Sequence, residues 1–230
     1  MGNCFSSGDP SALSELVNRR TTTTEEQLTK EKIVQGLQAV ADTLKKARQP
    51  PITIVAVGGA VNTVLLKTRA STGDVDFFYR TKTKHDDVSK IIIAADNART
   101  KLRLGEQWLN NHTAVFIEEG TIKSLYDEAI QQNEVVFSAP GTLTVYAAPW
   151  RYALAAKLDR LAKPGARPYD INDAVDYLSK LIAKRGTAVK RSELEQWAKE
   201  FKFTVPTKQL IDQLADEYKK KTHKDGIVSG

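Results

Sequence analysis

The sequence predicts an α/β protein, a mixed-sheet core followed by a helical C-terminal half. Three observations predict it. Short β-branched runs such as ITIVAV (52–57) and LTVYAA (143–148) alternate with segments of helical period as far as Pro149. Beyond Pro149 four helical segments follow one another on short connections. At 230 residues, 41% of them hydrophobic, the chain can bury a core without staples, as one compact domain or two small lobes.

The elements follow in order. Residues 1–22 are rich in Ser, Thr, Gly and Asn and have no periodicity, so they read as a flexible tether. Residues 23–148 form the α/β core. Thr24 with Gln27 fits a capping box, and Leu28, Val34, Leu37, Ala41 and Leu44 recur at helical spacing, a helix that stops before Pro50-Pro51. ITIVAV is a buried-type strand ended by Gly58-Gly59, AVNTVLLK (60–67) a short helix, and DVDFFY (74–79) a second strand. A helix is predicted over 85–103, a strand at TAVFIE (113–118) and a helix at TIKSLYDEAIQQ. EVVFSA (134–139) and LTVYAA read as a strand pair turning at Pro140-Gly141. The helical half covers 149–222, and residues 223–230 are expected to fray.

Bulk properties exclude several classes. One cysteine rules out an internal disulfide framework and a Cys-based zinc site, and His85, His112 and His223 lack metal-ligand spacing. No apolar run approaches the roughly 20 residues of a spanning helix, and no secretory h-region opens the chain, which points to the cytosol or its membrane surface. The net charge of +6 favours acidic partners: nucleotides, nucleic acid or an anionic membrane. At the N-terminus, MGNCFSS fits a myristoylation pattern at Gly2 with a neighbouring palmitoylation candidate at Cys4. One myristoyl chain binds membranes marginally and a second acyl chain makes the contact stable, so the pair predicts a peripheral membrane contact; a chance match in a polar terminus is the alternative.

The candidate chemistry lies in GGAVNTVLLKTRASTGDVDF (58–77). Strand residues at i and i+2 share a face, which places Asp74 and Asp76 side by side, roughly 6–7 Å apart along the strand. Two such carboxylates repel unless a cation sits between them, and Mg2+ or Mn2+ suits that place because such ions bind through one or two carboxylates plus phosphates. Gly58 and Gly59 would let backbone approach a phosphate before a helix N-terminus. Taken singly, the glycines read as a tight turn and the acids as a solvated face.

These residues resemble the signature of the nucleotidyltransferase superfamily, the DNA polymerase beta-like fold, in its minimal and abortive-infection-toxin branches. The matching positions are Gly58, Gly59, Ala60, Arg69, Thr72, Asp74 and Asp76, with Arg69 one residue further from the acids than the pattern has it. The likeness continues in EQWLN (106–110) and in APWRYALAAKLDRLAKPGARPYDINDAVDYL (148–178), where Lys157, Arg167, Asp170 and Asp173 match, and it covers residues 52–182. The resemblance implies transfer of a nucleoside monophosphate from a nucleoside triphosphate to RNA, protein or a small molecule. It implies metal on Asp74 and Asp76, nucleotide contacts from Gly58, Gly59, Arg69, Thr72, Lys157 and Asp173, and catalytic roles for Asp74, Asp76, Lys157 and Asp170.

The residues themselves support part of this. Lys157 sits in the apolar stretch ALAAKLDRLA, where a lysine must reach out to solvent or meet an anion, a triphosphate being one. Asp170 and Asp173 open a helix, which also suits them as dipole or capping acids. The expected third carboxylate is missing from LTVYAA, and Glu134 stands at the wrong end of its strand. Either an acid such as Asp170 replaces it or the general base is lost, which leaves a degenerate eukaryotic nucleotide-binding or scaffold protein as the alternative. Trp108, Trp150 and Trp197 read as core, and the basic groups around Gly186 and at 219–221 as solvated surface, a helix-end charge or a membrane contact.

Overall fold

The computed structural model describes residues 27–82 and 85–229. The predicted tether and the acylation pattern at Gly2 and Cys4 lie outside the described residues. Strand β1 (Leu28–Thr29) pairs antiparallel with β3 (Ser71–Thr72), and Gln27 Oε1 accepts a hydrogen bond from Ser71 Oγ at 2.8 Å. Helix α1 (Lys30–Lys46) therefore starts after this pairing, with Thr29 as its N-cap. The start expected at Thr24 is displaced because the backbone at Leu28 is engaged with Thr72; Thr24 itself is outside the described residues. Ile33, Leu37, Val40, Ala41 and Leu44 form the buried stripe of α1.

Five strands make the central sheet, which confirms the mixed α/β class. They are β2 (Ile52–Val57), β4 (Val75–Phe78), β5 (Leu109–Asn110), β6 (Val135–Ala139) and β7 (Leu143–Ala147), in the order β5-β4-β2-β7-β6. β2 runs parallel to β7 and antiparallel to β4. One sheet edge thus collects the ends of β2 and β7 and the start of β4, and the Ala148 N–H bonds the Ala56 carbonyl there at 2.9 Å.

The strand expected at TAVFIE is instead a 3-10 helix, His112–Phe116. The Asn110 side chain accepts the His112 N–H at 3.0 Å and turns the chain out of the sheet directly after β5, overriding the β-branched composition. Val115 and Phe116 are left exposed.

The helices are α2 (Gly59–Val61, continued as a π-turn to Leu66), α3 (Asp86–Leu102), α4 (Glu119–Gln132), α5 (Trp150–Leu161), α6 (Asp170–Arg185), α7 (Arg191–Glu200) and α8 (Lys208–Thr222). One hydrophobic cluster runs through both halves of the chain, so the change of pattern at Pro149 is not a break in the core. The Tyr152 ring of α5 meets Phe78 of β4 edge-on at 6.3 Å. Trp108 and Trp150 are buried core residues, and Trp197 packs on the same cluster. Among the described residues the C-terminal segment does not fray: β9 (Ile227–Val228) pairs with β8 (Val189–Lys190), and Gly226 lies against the Tyr218 ring. No helix among the described residues is long and apolar enough to cross a membrane.

Candidate functional site

The carboxylate strand and the Gly-Gly turn meet at one sheet edge. Asp76 is in register with Val57 on one side and Asn110 on the other, so the start of β4 stands beside Gly58. Asp74 and Asp76 are half-buried, whereas Val75 and Phe77 between and after them are fully buried. In open α/β sheets ligands bind outside the carboxyl ends of strands, which is where β2 and β7 end here.

The two glycines do different things. Gly58 has φ +66° and ψ −135°, a conformation closed to L side chains, and the space beside its Cα is open. Gly59 has no such freedom: a Cβ there would lie 2.1 Å from Thr72 Oγ1. Thr72 is buried in β3 and fills the place where the Gly59 side chain would be, so its position is explained by packing against the turn.

Lys157, Asp170, Asp173 and Arg69 form a closed ionic cluster. The Lys157 ammonium lies 2.7 Å from Asp170 Oδ1 and 2.7 Å from Asp173 Oδ2. Arg69 donates Nε to Asp173 Oδ1 at 2.9 Å and Nη2 to Asp173 Oδ2, and its guanidinium stacks 3.7 Å over the Tyr169 ring. Lys157 is only 6% exposed, Asp170 0% and Asp173 1%. Lys157 is thus not a lysine of the polar surface; the anion it meets is a pair of acids from its own chain. The offset of Arg69 from the acids also acquires a reason, since its fork serves Asp173.

Asp170 accepts the Arg167 backbone N–H at 2.8 Å on its other oxygen. Burial alone would raise its carboxyl, but the hydrogen bonds from Lys157 and Arg167 outweigh that and hold it below the ordinary carboxylate value. A carboxyl more acidic in the folded than in the unfolded chain contributes stability above about pH 4, and this is lost as pH falls through the lower folded value. Thermal melts from about pH 5 down to about pH 2 are therefore expected to show an acid-side loss, setting in below about pH 4, that Asp170→Asn flattens.

Helix α6 also fastens the glycine turn. The Tyr177 hydroxyl shares its proton between Asn62 Oδ1 and the Gly58 carbonyl, the latter at 3.2 Å. Burial raises the Tyr177 phenol well above its ordinary value, so it remains a donor. Sequence reasoning missed Asn62, Tyr169 and Tyr177. The signal for Tyr177 was present: it stands four residues after Asp173 and seven after Asp170, on the same helical face.

Glu134 needs a correction. β6 is antiparallel to β7, so Glu134, just before β6, reaches the site's own sheet edge, where its carbonyl accepts the Ala147 N–H at 2.8 Å. It is remote for another reason. β2 and β7 lie between β6 and β4, about 14 Å at strand spacing.

The basic groups are locally engaged. Lys184 donates to the Gln132 carbonyl, Arg185 pairs with Glu193, and Arg191 with Asp212. At the end of α8, Lys219, Lys220 and Lys221 pair with Asp225, Glu217 and Asp176. Among the described residues no group of three or more His, Cys, Asp or Glu side chains could hold a metal ion, so a cation at Asp74 and Asp76 would depend on ligand oxygens as well.

These features define a class: a mixed α/β protein whose carboxylate strand opens beside a Gly-Gly turn, with a buried ionic cluster behind it. Residues 25–225 match a family described as a domain of unknown function, DUF7582, and the chain belongs to that family. No curated protein and no solved structure matches the chain.

Proposed function

We propose that the chain binds a metal–nucleoside triphosphate at the edge carrying Asp74 and Asp76 and transfers its nucleoside monophosphate to an acceptor hydroxyl of RNA, protein or a small molecule, as nucleotidyltransferases do. The observation that carries this reading is the register of Asp76 with Val57, which puts the carboxylate strand beside the open face of Gly58. Asp76 on β4 and Asp74 just before that strand offer two hard carboxylate donors, which suit Mg2+ or Mn2+ that would neutralise phosphate charge there. The acceptor oxygen would form a bond to the α-phosphorus as the bond to pyrophosphate breaks, with the acceptor's proton released to solvent.

The test is calorimetry with each ribonucleoside triphosphate and Mg2+, alongside transfer of α-phosphate label to cellular RNA and protein. At least one nucleotide is expected to bind, and Asp74→Asn/Asp76→Asn to weaken it by at least about tenfold, or ~1.4 kcal/mol. Failure of every nucleotide to bind, or binding indifferent to the double variant, refutes the reading.

A second reading has its own support. Lys157 is held by two acids, both Asp170 oxygens already accept hydrogen bonds, and β7 carries no carboxylate. A protein that holds a nucleotide without transferring it, tethered by Gly2 and Cys4 acylation to the cytosolic face of a membrane, accounts for these facts. Binding without label transfer distinguishes it from the enzyme.

A further inference from the structure

Four of the eight exposed large apolar side chains among the described residues stand together on two neighbouring elements: Ile92 and Ile93 of α3, and Val115 and Phe116 of the 3-10 helix. Val115 and Phe116 are each 74% exposed, more than any other large apolar residue described. A hollow of about 290 Å³ connects the two elements, with Val88 and Ser89 on one wall and Ala114 on the other. Ile92 and Ile93 lie one helical turn beyond Val88 and Ser89 on α3. Val115 joins the rim directly, because its carbonyl accepts a hydrogen bond from Lys82 Nζ at 3.3 Å, and Lys82 lines the hollow.

The polar side of the hollow carries a cation and a ring donor. Lys82 brings an ammonium. His85 Nδ1 accepts the Asp87 N–H at 3.2 Å, which places the proton of a neutral ring on Nε2, a donor. The acids nearby are Asp86, exposed at the start of α3; Asp87, whose carboxylate receives the Tyr79 hydroxyl at 2.6 Å and lies 3.5 Å from His85 Nδ1; Glu118, which pairs with Lys202 at 3.0 Å; and exposed Glu119. Exposed Arg80 and partly buried Lys90 add positive charge on the flanking segments.

The geometry points to a membrane-docking face: Phe116, Val115 and Ile93 enter the interfacial layer of an anionic bilayer, and Lys82 with His85 receives a lipid phosphate in the hollow. The conjunction of an exposed apolar wedge with the Lys82 ammonium at its rim selects a lipid surface. An apolar wedge beside cations and a headgroup-sized hollow matches an anionic interface, and the chain's net charge is +6. The acylation pattern at Gly2 and Cys4 is an independent pointer to the same surface. The chain from Cys4 to Gln27, at up to about 3.5 Å per residue, is long enough for anchor and face to meet one bilayer. A face of this kind supplies the added contact that a single reversible acyl chain needs.

The test uses the full chain without acylation and vesicles of phosphatidylcholine alone or with about 30% phosphatidylserine. Binding is expected to the anionic vesicles and to weaken with salt. Val115→Ser/Phe116→Ser and Lys82→Ser are each expected to reduce it by about fivefold or more, whereas Lys123→Ser, on exposed α4, leaves it unchanged. Circular dichroism verifies folding, and the exposed positions of Val115 and Phe116 make the double variant a safe probe. Three results would overturn the proposal. They are no vesicle binding, equal loss with Lys123→Ser, or a dimer that Val115→Ser/Phe116→Ser converts to monomer while vesicle binding is absent, which would make the face a self-association surface.

Discussion

Lys157→Met is expected to lower the free energy of unfolding by about 3–5 kcal/mol, because it leaves two buried carboxylates short of their shared cation. Lys157 and its two partners are almost wholly screened from solvent, so water cannot replace the lost ammonium. Asp173 would keep Arg69, but Asp170 would retain only the Arg167 N–H and Arg160, whose guanidinium is 3.8 Å away and half-exposed. The loss should therefore fall mainly on Asp170. Lys157→Met/Asp170→Asn is expected to recover part of it, which a double-mutant cycle in urea would register as non-additivity of about 1–3 kcal/mol. The loss should also shrink toward acid pH, where Asp170 can become neutral by taking up a proton. A cost below about 1 kcal/mol at neutral pH would show that the ammonium does not hold the cluster together. Nucleotide binding measured on the same variant then separates stability from ligand contact: if the cluster is structural, the surviving folded fraction binds as the parent does.

The cluster also shows which parts of the site could be read in one dimension. The glycine stop after ITIVAV is local and composition is enough to reveal it, whereas the strand expected from Asp74 starts one residue later, so only Asp76 stands in β4. That Lys157 must either reach solvent or meet an anion is likewise local, since it sits in an apolar helical stretch. Which anion it finds is a matter of tertiary approach. Asp170 and Asp173 reach it only because α5 and α6 pack on one another, and Arg69 arrives from more than a hundred positions earlier. The strand at TAVFIE failed on a similar point. Its side chains favour extended backbone, but a single side-chain acceptor, Asn110, turns the chain before they can pair. The early segment failed through a partner as well: Leu28 carries the periodicity of α1 yet pairs with Thr72, and periodicity does not report pairing. Tyr177 was legible in principle, because it repeats the face of Asp170 and Asp173; only its acceptors, Asn62 and Gly58, required the fold.

Gly58→Ala and Gly59→Ala are expected to destabilise by similar amounts, about 1–3 kcal/mol each, for opposite reasons. At Gly59 the obstacle is a neighbour. The added methyl would lie 2.1 Å from Thr72 Oγ1 and 2.9 Å from Thr72 Cβ, and Thr72 cannot swing away because β3 is pinned to Leu28. Thr72→Ala removes the nearer atom, so Gly59→Ala/Thr72→Ala should regain part of the loss but not all, the Cβ contact remaining. At Gly58 there is room for the methyl, and the obstacle is the backbone, held at φ +66° and ψ −135° with its carbonyl bonded by Tyr177. Thr72→Ala should give Gly58→Ala no relief. The functional consequences should differ in the same way. Gly58→Ala changes the turn on its open face beside Asp76 and should weaken nucleotide binding even where the protein remains folded. Gly59→Ala, once accommodated by Thr72→Ala, should leave binding close to that of the parent. Equal rescue of both variants by Thr72→Ala would mean that the turn responds to crowding alone, and the distinction between a packing glycine and a ligand-facing glycine would have to be abandoned.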